Sequence, residues 1–153
     1  MEKIEIKQIC EEKECLICDE FLSKLSNFDS QYDNIIESDF KFKDVHLRNK
    51  DDEFTYIALA LKGEPIGYIF AYLKSKKGKV RKTNVIDIQA LFVDKNYRRQ
   101  KVGEKLIKSV EDWANKKFEG DYVIELQAIN DNVNAMEFYR HLGFREIRTV
   151  FRK

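Results

Sequence analysis

Residues 91–106 read LFVDKNYRRQKVGEKL, and this stretch decides the fold class that the sequence predicts. An apolar strand ends at Val93, a polar loop follows, and an amphipathic helix begins near Val102. The first turn of a helix has unpaired N–H groups and a partial positive charge, which together stabilise a bound phosphate. The cations of residues 98–101 add charge there, and Gly103 allows backbone to approach a ligand. The pattern predicts an anion site, although a solvated basic loop with a helix-packing glycine also fits.

Residues 132–144 read NVNAMEFYRHLGF and form the second informative stretch. The apolar residues recur at helical spacing, with Ala135, Phe138 and Tyr139 on the inner face. Gly143 suits the C-terminal cap of such a helix. The stretch therefore predicts a helix over residues 132–142.

The remaining elements follow from periodicity and turn residues, and the whole chain reads in the order β α α β β β α β α β. Predicted strands cover residues 4–9, 54–61, 66–73, 85–93, 122–128 and 144–151. Predicted helices cover residues 11–25, 102–118 and 132–142, with irregular helical pieces between residues 30 and 48. Hairpin strands followed by β-α-β crossovers predict an α/β fold with a mixed sheet. No linker or repeat interrupts the pattern, so we expect a single domain over residues 1–153.

Composition narrows the classes of protein that fit. Charged residues make up 36% of the chain and hydrophobic residues 43%, which is typical of a soluble globular domain. No apolar run approaches the roughly 20 residues of a membrane span, and the charged N-terminus has no signal core, so we expect a cytoplasmic protein. The net charge of +1 predicts no nucleic-acid or membrane partner, and the basic run at residues 74–82 is expected to be a solvated hairpin tip.

Three cysteines, Cys10, Cys15 and Cys18, lie close together. An odd number argues against a disulfide framework, and the C-x-x-C pair has neither a second pair for zinc nor a strand-to-helix context for redox chemistry. Because the spacing also fits one face of a helix, we expect buried, inert thiols and no metal site.

Together, the two stretches resemble the signature of the GNAT superfamily of acetyl-CoA-dependent N-acetyltransferases. The cofactor loop of that family has the pattern Arg/Gln-x-x-Gly-x-Gly/Ala after a strand that ends Leu-x-Val. Residues 98–103 match it at Arg98 and Gly103 and depart from it at Lys101, where the family usually has glycine. Residues 132–144 are closely similar to the family's N-x-x-A-x-x-F-Y-x-x-x-G-F.

The resemblance implies a mixed central sheet flanked by helices. Acetyl-CoA, as co-substrate, would lie in a V-shaped splay between two parallel strands, those ending at Val93 and near Ala128. The amide near Leu91 would face the thioester carbonyl as the oxyanion donor. The residues that the resemblance assigns to the cofactor are Leu91, Phe92, Val93, Arg98, Arg99, Gln100, Lys101, Val102, Gly103, Glu104, Asn130, Asn132, Ala135 and Tyr139, with Asn134 as a lesser candidate.

The resemblance also implies catalytic roles. Tyr139 would be the general acid that protonates the departing thiolate, because a phenol with a pKa of about 10 carries its proton at neutral pH; a core aromatic role is compatible with this. Asp87 is placed slightly ahead of Glu125 as general base, and either carboxylate could instead be solvated or ion-paired. His46 and His141 are weaker candidates.

The acceptor is expected to be a small cationic primary amine that attacks acetyl-CoA directly, without an acyl-enzyme. Acidic positions in the region that lines the acceptor cleft in relatives favour it: Glu37, Asp39, Asp44, Asp51, Asp52 and Glu53. A protein lysine or N-terminal acetyltransferase and a non-catalytic acyl-CoA sensor are the alternatives. Homodimerisation, common in the family, is also expected, with residues 145–151 contributing an edge.

Overall fold

A computed structural model describes residues 2–153 of the chain. Within them, one five-stranded sheet has the order β1-β2-β3-β4-β5. The strands are β1 Glu5–Gln8, β2 Thr55–Lys62, β3 Glu64–Ser75, β4 Asn84–Val93 and β5 Tyr122–Leu126. The helices are α1 Glu12–Asp29, α2 Val45–Asn49, α3 Val102–Phe118 and α4 Val133–His141. Strands β1 to β4 pair antiparallel and β4 pairs parallel with β5, which confirms the predicted mixed α/β sheet.

Each face of the sheet is covered by a long helix. On one face, α3 buries the apolar stripe that its periodicity predicted, which comprises Val102, Leu106, Ile107, Val110 and Ala114. On the other face, Cys15, Cys18 and Phe21 of α1 pack against Tyr68 and Ala90 of the sheet. Both thiols of the C-x-x-C pair are therefore core groups, and burial raises their pKa.

A β-bulge in β4 separates this strand from its parallel neighbour. Strand β4 pairs with β5 only as far as Ile88. Across β3, Ala71 pairs with Ile88. The preceding residue, Phe70, pairs with Ala90, so Gln89 is the extra residue. A bulge bends its strand and increases the local twist, and the rest of β4 accordingly has no partner on β5. This is the V-shaped splay between two parallel strands.

The last segment of the chain departs from the predicted order. Residues 144–153 form no helix or strand, so the predicted strand over residues 144–151 is wrong. Its side chains Ile147, Val150 and Phe151 are exposed. The adjacent pair at 150 and 151 breaks the alternation that a half-buried strand needs, and strand propensity is realised only where a pleated neighbour packs against it.

This terminal segment is held to the body by ion pairs. Arg148 Nη1 lies 3.5 Å from Glu125 Oε1 on β5. Arg152 donates through both Nη atoms to Asp33, at 2.8 and 3.1 Å. The segment therefore runs from the outer strand to the residues after α1, with polar contacts in place of strand pairing.

Several other boundaries differ from the periodicity by a few residues, and β3 is longer than predicted at both ends. Helix α1 continues to Asp29, beyond the predicted end at residue 25, and β5 stops at Leu126, before the predicted end at residue 128. The start of α1 is fixed by a capping box, in which Glu14 accepts the N–H of Glu11 at 2.9 Å. Over residues 2–153, no helix has both the length and the apolar character required to cross a membrane.

Candidate active site

The residues of β4 after Ile88 pair with β3 but have no partner on β5, so part of their backbone faces the splay. Asp94 donates its N–H to the carbonyl of Ile66 at 2.8 Å, on the β3 side. Backbone direction alternates along a strand, so Leu91 and Val93 present their N–H and C=O groups on the opposite side. Consistent with this, Arg98 Nε donates to the carbonyl of Val93 at 3.4 Å. The N–H of Leu91 therefore points into the splay.

The loop between β4 and α3 contains two residues with a left-handed backbone. It lies at the end of the splay where α3 begins, which we call the foot of the splay. Arg99 and Lys101 both have φ of 63°. The carbonyl of Lys101 accepts the N–H of Lys105 at 3.0 Å, the first turn of α3. The amides of residues 102–104 precede any intrahelical donor, and alternating backbone conformations of this kind form concave N–H nests that bind anions. The loop can therefore hold a pyrophosphate mainly through backbone.

Two side chains of this loop are engaged within the chain itself. The guanidinium of Arg98 lies 5.5 Å from the centre of the Phe28 ring at the end of α1. Gln100 Oε1 accepts from Lys62 Nζ at 3.0 Å. Arg98 therefore joins β4 to α1, which places its charge at the edge of the splay.

Lys101→Gly is expected to stabilise the protein, because a left-handed conformation costs a non-glycine residue about 1–2 kcal/mol and glycine offsets only part of this through its freer unfolded chain. We expect the melting temperature to rise by about 2–4 °C. Lys101→Ala is the matched control: it also removes the charge but keeps the strained Cβ, and should show no rise. Equal melting temperatures for the two variants would count against strain at this position.

Gly103 is closely packed against the neighbouring helix α4. A Cβ at this position would lie 3.0 Å from Cζ of Phe138, on α4. The first turn of α3 and helix α4 are thus in close contact at the foot of the splay. Phe138 and Gly103 belong to the two stretches of sequence that carry the family resemblance, and the fold brings them together.

The N-terminus of α4 is capped by Asn132. Its Oδ1 accepts the N–H of Ala135 at 3.2 Å. The cap leaves the amide NH₂ of Asn132 as the group that can donate to a ligand. The amide of Ala135 is taken by the cap, so a cofactor contact at Ala135 would involve only its side chain. Asn130 and Asn134 are both exposed.

Tyr139 lies in an aromatic environment on α4. Its ring contacts Phe138 at a centroid distance of 5.3 Å and Phe144 at 5.9 Å. Burial, and then the nearby charge of Asp29, raises the pKa of Tyr139 to about 12. The phenol therefore carries its proton at neutral pH and can donate it.

A row of polar groups crosses β3, β4 and β5 on the α1 side of the sheet. Asp87 is buried, and Gln89 Nε2 donates to it. The same Nε2 lies 3.3 Å from the hydroxyl of Tyr72. Asp87 and Glu125 are direct cross-strand partners, so both carboxylates project from one face. Glu125 is ion-paired, with Lys74 at 3.7 Å and with Arg148.

Comparison with known proteins identifies the family to which this chain belongs. The Acetyltransferase (GNAT) family matches residues 17–144. The chain belongs to the GNAT family. It is 32% identical over 101 residues to an uncharacterised N-acetyltransferase of Methanocaldococcus jannaschii, covering 66% of this chain and 43% of that protein. It is 34% identical over 105 residues to N-alpha-acetyltransferase 30 of Dictyostelium discoideum, covering 68% and 52%. The chain thus spans about half the length of these relatives.

The fold of this GNAT chain also matches solved structures. The aminoglycoside N-acetyltransferase AAC(6')-Iy, in complex with CoA, superposes with a TM-score of 0.68 at 22% sequence identity. The match covers 100% of this chain and 95% of that one. At this identity, the likeness concerns the fold alone.

The two histidines have different surroundings in the GNAT fold. His141 is exposed in the last turn of α4. His46 is fully buried, and its Nδ1 lies 2.6 Å from Oδ1 of Asp19, so it is enclosed in the core rather than available to an acceptor. Burial lowers the pKa of His46, against the opposing effect of Asp19.

The lowered pKa of His46 makes stability depend on pH. The folded pKa lies below the unfolded value of about 6.5, so the neutral ring is favoured by folding. This stabilisation is present above about pH 6.5 and is lost as the pH falls. We expect the urea-derived free energy of unfolding to decrease between about pH 6.5 and pH 5, above the range where most carboxylates titrate.

His46→Gln is the comparison for this pH effect. Its unfolding free energy should be lower overall and nearly flat across the same interval. A wild-type decrease that persists unchanged in His46→Gln would assign the effect to another group.

Three residues near the site lack a role in the sequence prediction. Tyr72 is bonded to Gln89, Asp19 is bonded to His46, and Gly67 lies opposite Val93 at the end of β4. Gly67 has a sequence signal, since glycine inside a strand indicates a bulge or close backbone approach. The positions of Tyr72 and of the buried Asp19 depend on tertiary contacts.

Proposed function

We propose that the chain is an N-acetyltransferase that transfers the acetyl group of acetyl-CoA to a small cationic primary amine by direct attack. The observation that carries the proposal is the splay and its surroundings. Backbone groups of β4 without a partner on β5 line one side, and the left-handed loop lies at its foot. Tyr139, which is protonated, is provided by α4. The opening suits a thioester arm that extends the β4 edge, and the loop suits its pyrophosphate.

The proposed reaction assigns one step to each group. Asp87 takes a proton from the ammonium, directly or through water, and frees the nitrogen lone pair. The nitrogen attacks the thioester carbonyl, whose oxygen is stabilised by the N–H of Leu91. The C–S bond breaks, Tyr139 protonates the departing sulfur, and the remaining extra proton of the attacking nitrogen passes to the Tyr139 oxygen, which leaves a neutral amide and a neutral phenol. No enzyme nucleophile is required, which agrees with the burial of Cys15 and Cys18.

A cationic acceptor is favoured by the carboxylates on the α1 side of the sheet. Asp87 has no cationic partner among residues 2–153, whereas its cross-strand neighbour Glu125 is paired with Arg148 and Lys74. The solved relative that acts on aminoglycosides is consistent with a small amine of this class. A peptide N-terminal amine is the second candidate, because the Dictyostelium relative is an N-alpha-acetyltransferase.

A panel of acceptors tests the proposal. Thiol release from acetyl-CoA should appear with polyamines or aminoglycosides and exceed that with peptides. Turnover confined to peptides would favour the second candidate. A rise in melting temperature with acetyl-CoA, combined with no turnover on the whole panel, would indicate a non-catalytic acyl-CoA sensor. No such rise at millimolar acetyl-CoA would overturn the cofactor assignment.

A further inference from the structure

Helix α1 carries three polar residues at intervals of four: Asp19, Ser23 and Asn27. Residues four apart lie on one face of a helix, so the three form a continuous stripe. Asp19 and Ser23 are buried. Buried polar groups destabilise a fold unless they are hydrogen-bonded, so the partners of this stripe are informative.

The partners are backbone amides of residues 39–46, which comprise the irregular residues 39–44 and the first two residues of α2. Asn27 Oδ1 accepts the N–H of Asp39 at 3.1 Å, and Ser23 Oγ accepts the N–H of Phe42 at 2.9 Å. The Asp19 carboxylate accepts the N–H groups of two further residues, Asp44 at 2.9 Å and His46 at 3.2 Å. The segment thus runs antiparallel to α1: Asn27 binds its first residues, and Asp19 binds its last residues.

Asp19 is the strongest of these anchors. Besides the two amides, it is bonded to the ring of His46, and the ring is wedged against Tyr68 and Phe70 at centroid distances of 5.2 Å. Asp44 is left-handed, with φ of 59°, a conformation that needs support from its surroundings. Ser23 also donates its hydroxyl proton to the carbonyl of Asp19 at 2.9 Å, which links two anchors.

The anchored segment leads directly to the polar row of the candidate active site. The ring of His46 contacts Phe70 on β3, and the ring of Phe70 lies 6.4 Å from that of Tyr72. Tyr72 is in turn bonded to Gln89, the partner of Asp87. A displacement of residues 39–46 would therefore be transmitted to the groups that surround Asp87.

We propose that Asp19, Ser23 and Asn27 are positioning residues that hold residues 39–46 as a fixed wall of the acceptor site and so set the affinity for the acceptor. The role in acceptor binding rests on the proposed function, whereas the anchoring of residues 39–46 by α1 does not. Irregular backbone has no ladder of its own, so its position depends on these side-chain acceptors.

The test uses the double variant Ser23→Ala with Asn27→Ala, which spares the Asp19–His46 pair and therefore the core. The matched control, Ser23→Thr with Asn27→Asp, keeps an acceptor oxygen at both positions. Hydrogen–deuterium exchange of the amides of Asp39 and Phe42 should rise about tenfold in the alanine variant and stay close to wild type in the control, while the amides of Asp44 and His46 remain protected by Asp19. Unchanged exchange in the alanine variant would overturn the anchoring.

Kinetics then test the link to the acceptor. In the alanine variant, KM for the acceptor should rise about tenfold, while kcat and acetyl-CoA affinity change less than about twofold. Faster exchange with an unchanged acceptor KM would overturn the link. If the wild-type protein turns over no acceptor, the proposed function fails, and the exchange measurement still decides whether the stripe holds the segment.

Discussion

Tyr139→Phe is expected to lower kcat by about a hundredfold or more, the usual contribution of a positioned general acid. The substitution removes only the hydroxyl and keeps the ring that packs between Phe138 and Phe144. Acetyl-CoA affinity should therefore change by less than about twofold. Steady-state kinetics with a saturating acceptor, beside a binding titration of acetyl-CoA, would separate the two effects.

The pKa of Tyr139, raised to about 12, sharpens this prediction. The phenol is protonated in the folded protein until the pH nears that value, so the wild-type rate should show no alkaline loss from this group below about pH 10. Tyr122→Phe is the control, since its hydroxyl lies 3.4 Å from the carbonyl of Glu111, on α3, and it should keep kcat within about twofold. Undiminished turnover in Tyr139→Phe would contradict the role of general acid.

The sequence predicts those parts of the site whose structure depends on residues close together in the chain. Helix α3 begins and ends at the predicted residues because a complete apolar stripe coincides with clear boundaries on both sides. Gly143 has a φ of 93°, as its place after the last turn of α4 suggests. The strand–loop–helix order around residues 91–106 follows from the same local signals.

The sequence does not predict features that depend on residues far apart in the chain. The bulge at Gln89 opens the splay, yet glutamine carries no local bulge signal, and its position is fixed by pairing with β3. The irregular residues 39–44 are held by side chains of α1, which no periodicity within the segment reveals. The terminal residues have strand propensity, but the fold provides them with ion pairs in place of a ladder.

The departure at Lys101 illustrates the difference between pattern and geometry. The family usually has glycine there, and the structure shows the reason, since the backbone is left-handed at φ 63°. A lysine can adopt this conformation at an energetic cost, so the loop keeps its shape although the motif is incomplete. The amides of residues 102–104 are consequently still presented at the foot of the splay.

Gly67→Ala is expected to have the second large effect, on both stability and acetyl-CoA binding. A Cβ on Gly67 would lie 2.6 Å from the carbonyl oxygen of Phe92 and 3.4 Å from Cα of Val93. Both contacts are backbone atoms of β4, so the overlap can be relieved only by moving one strand relative to the other. Such overpacking lowers the free energy of unfolding by about 1–3 kcal/mol.

The displaced backbone is the part of β4 that faces the splay, so Gly67→Ala should also weaken acetyl-CoA binding by about tenfold, a change of about 1.4 kcal/mol. Urea unfolding and calorimetric titration would measure the two effects. Gly78→Ala is the matched control, because its added Cβ would meet nothing closer than 4.0 Å. Wild-type stability in Gly67→Ala would show that the strands relax without strain. Lost stability with unchanged acetyl-CoA affinity would show that the Val93 backbone does not contribute to the cofactor site.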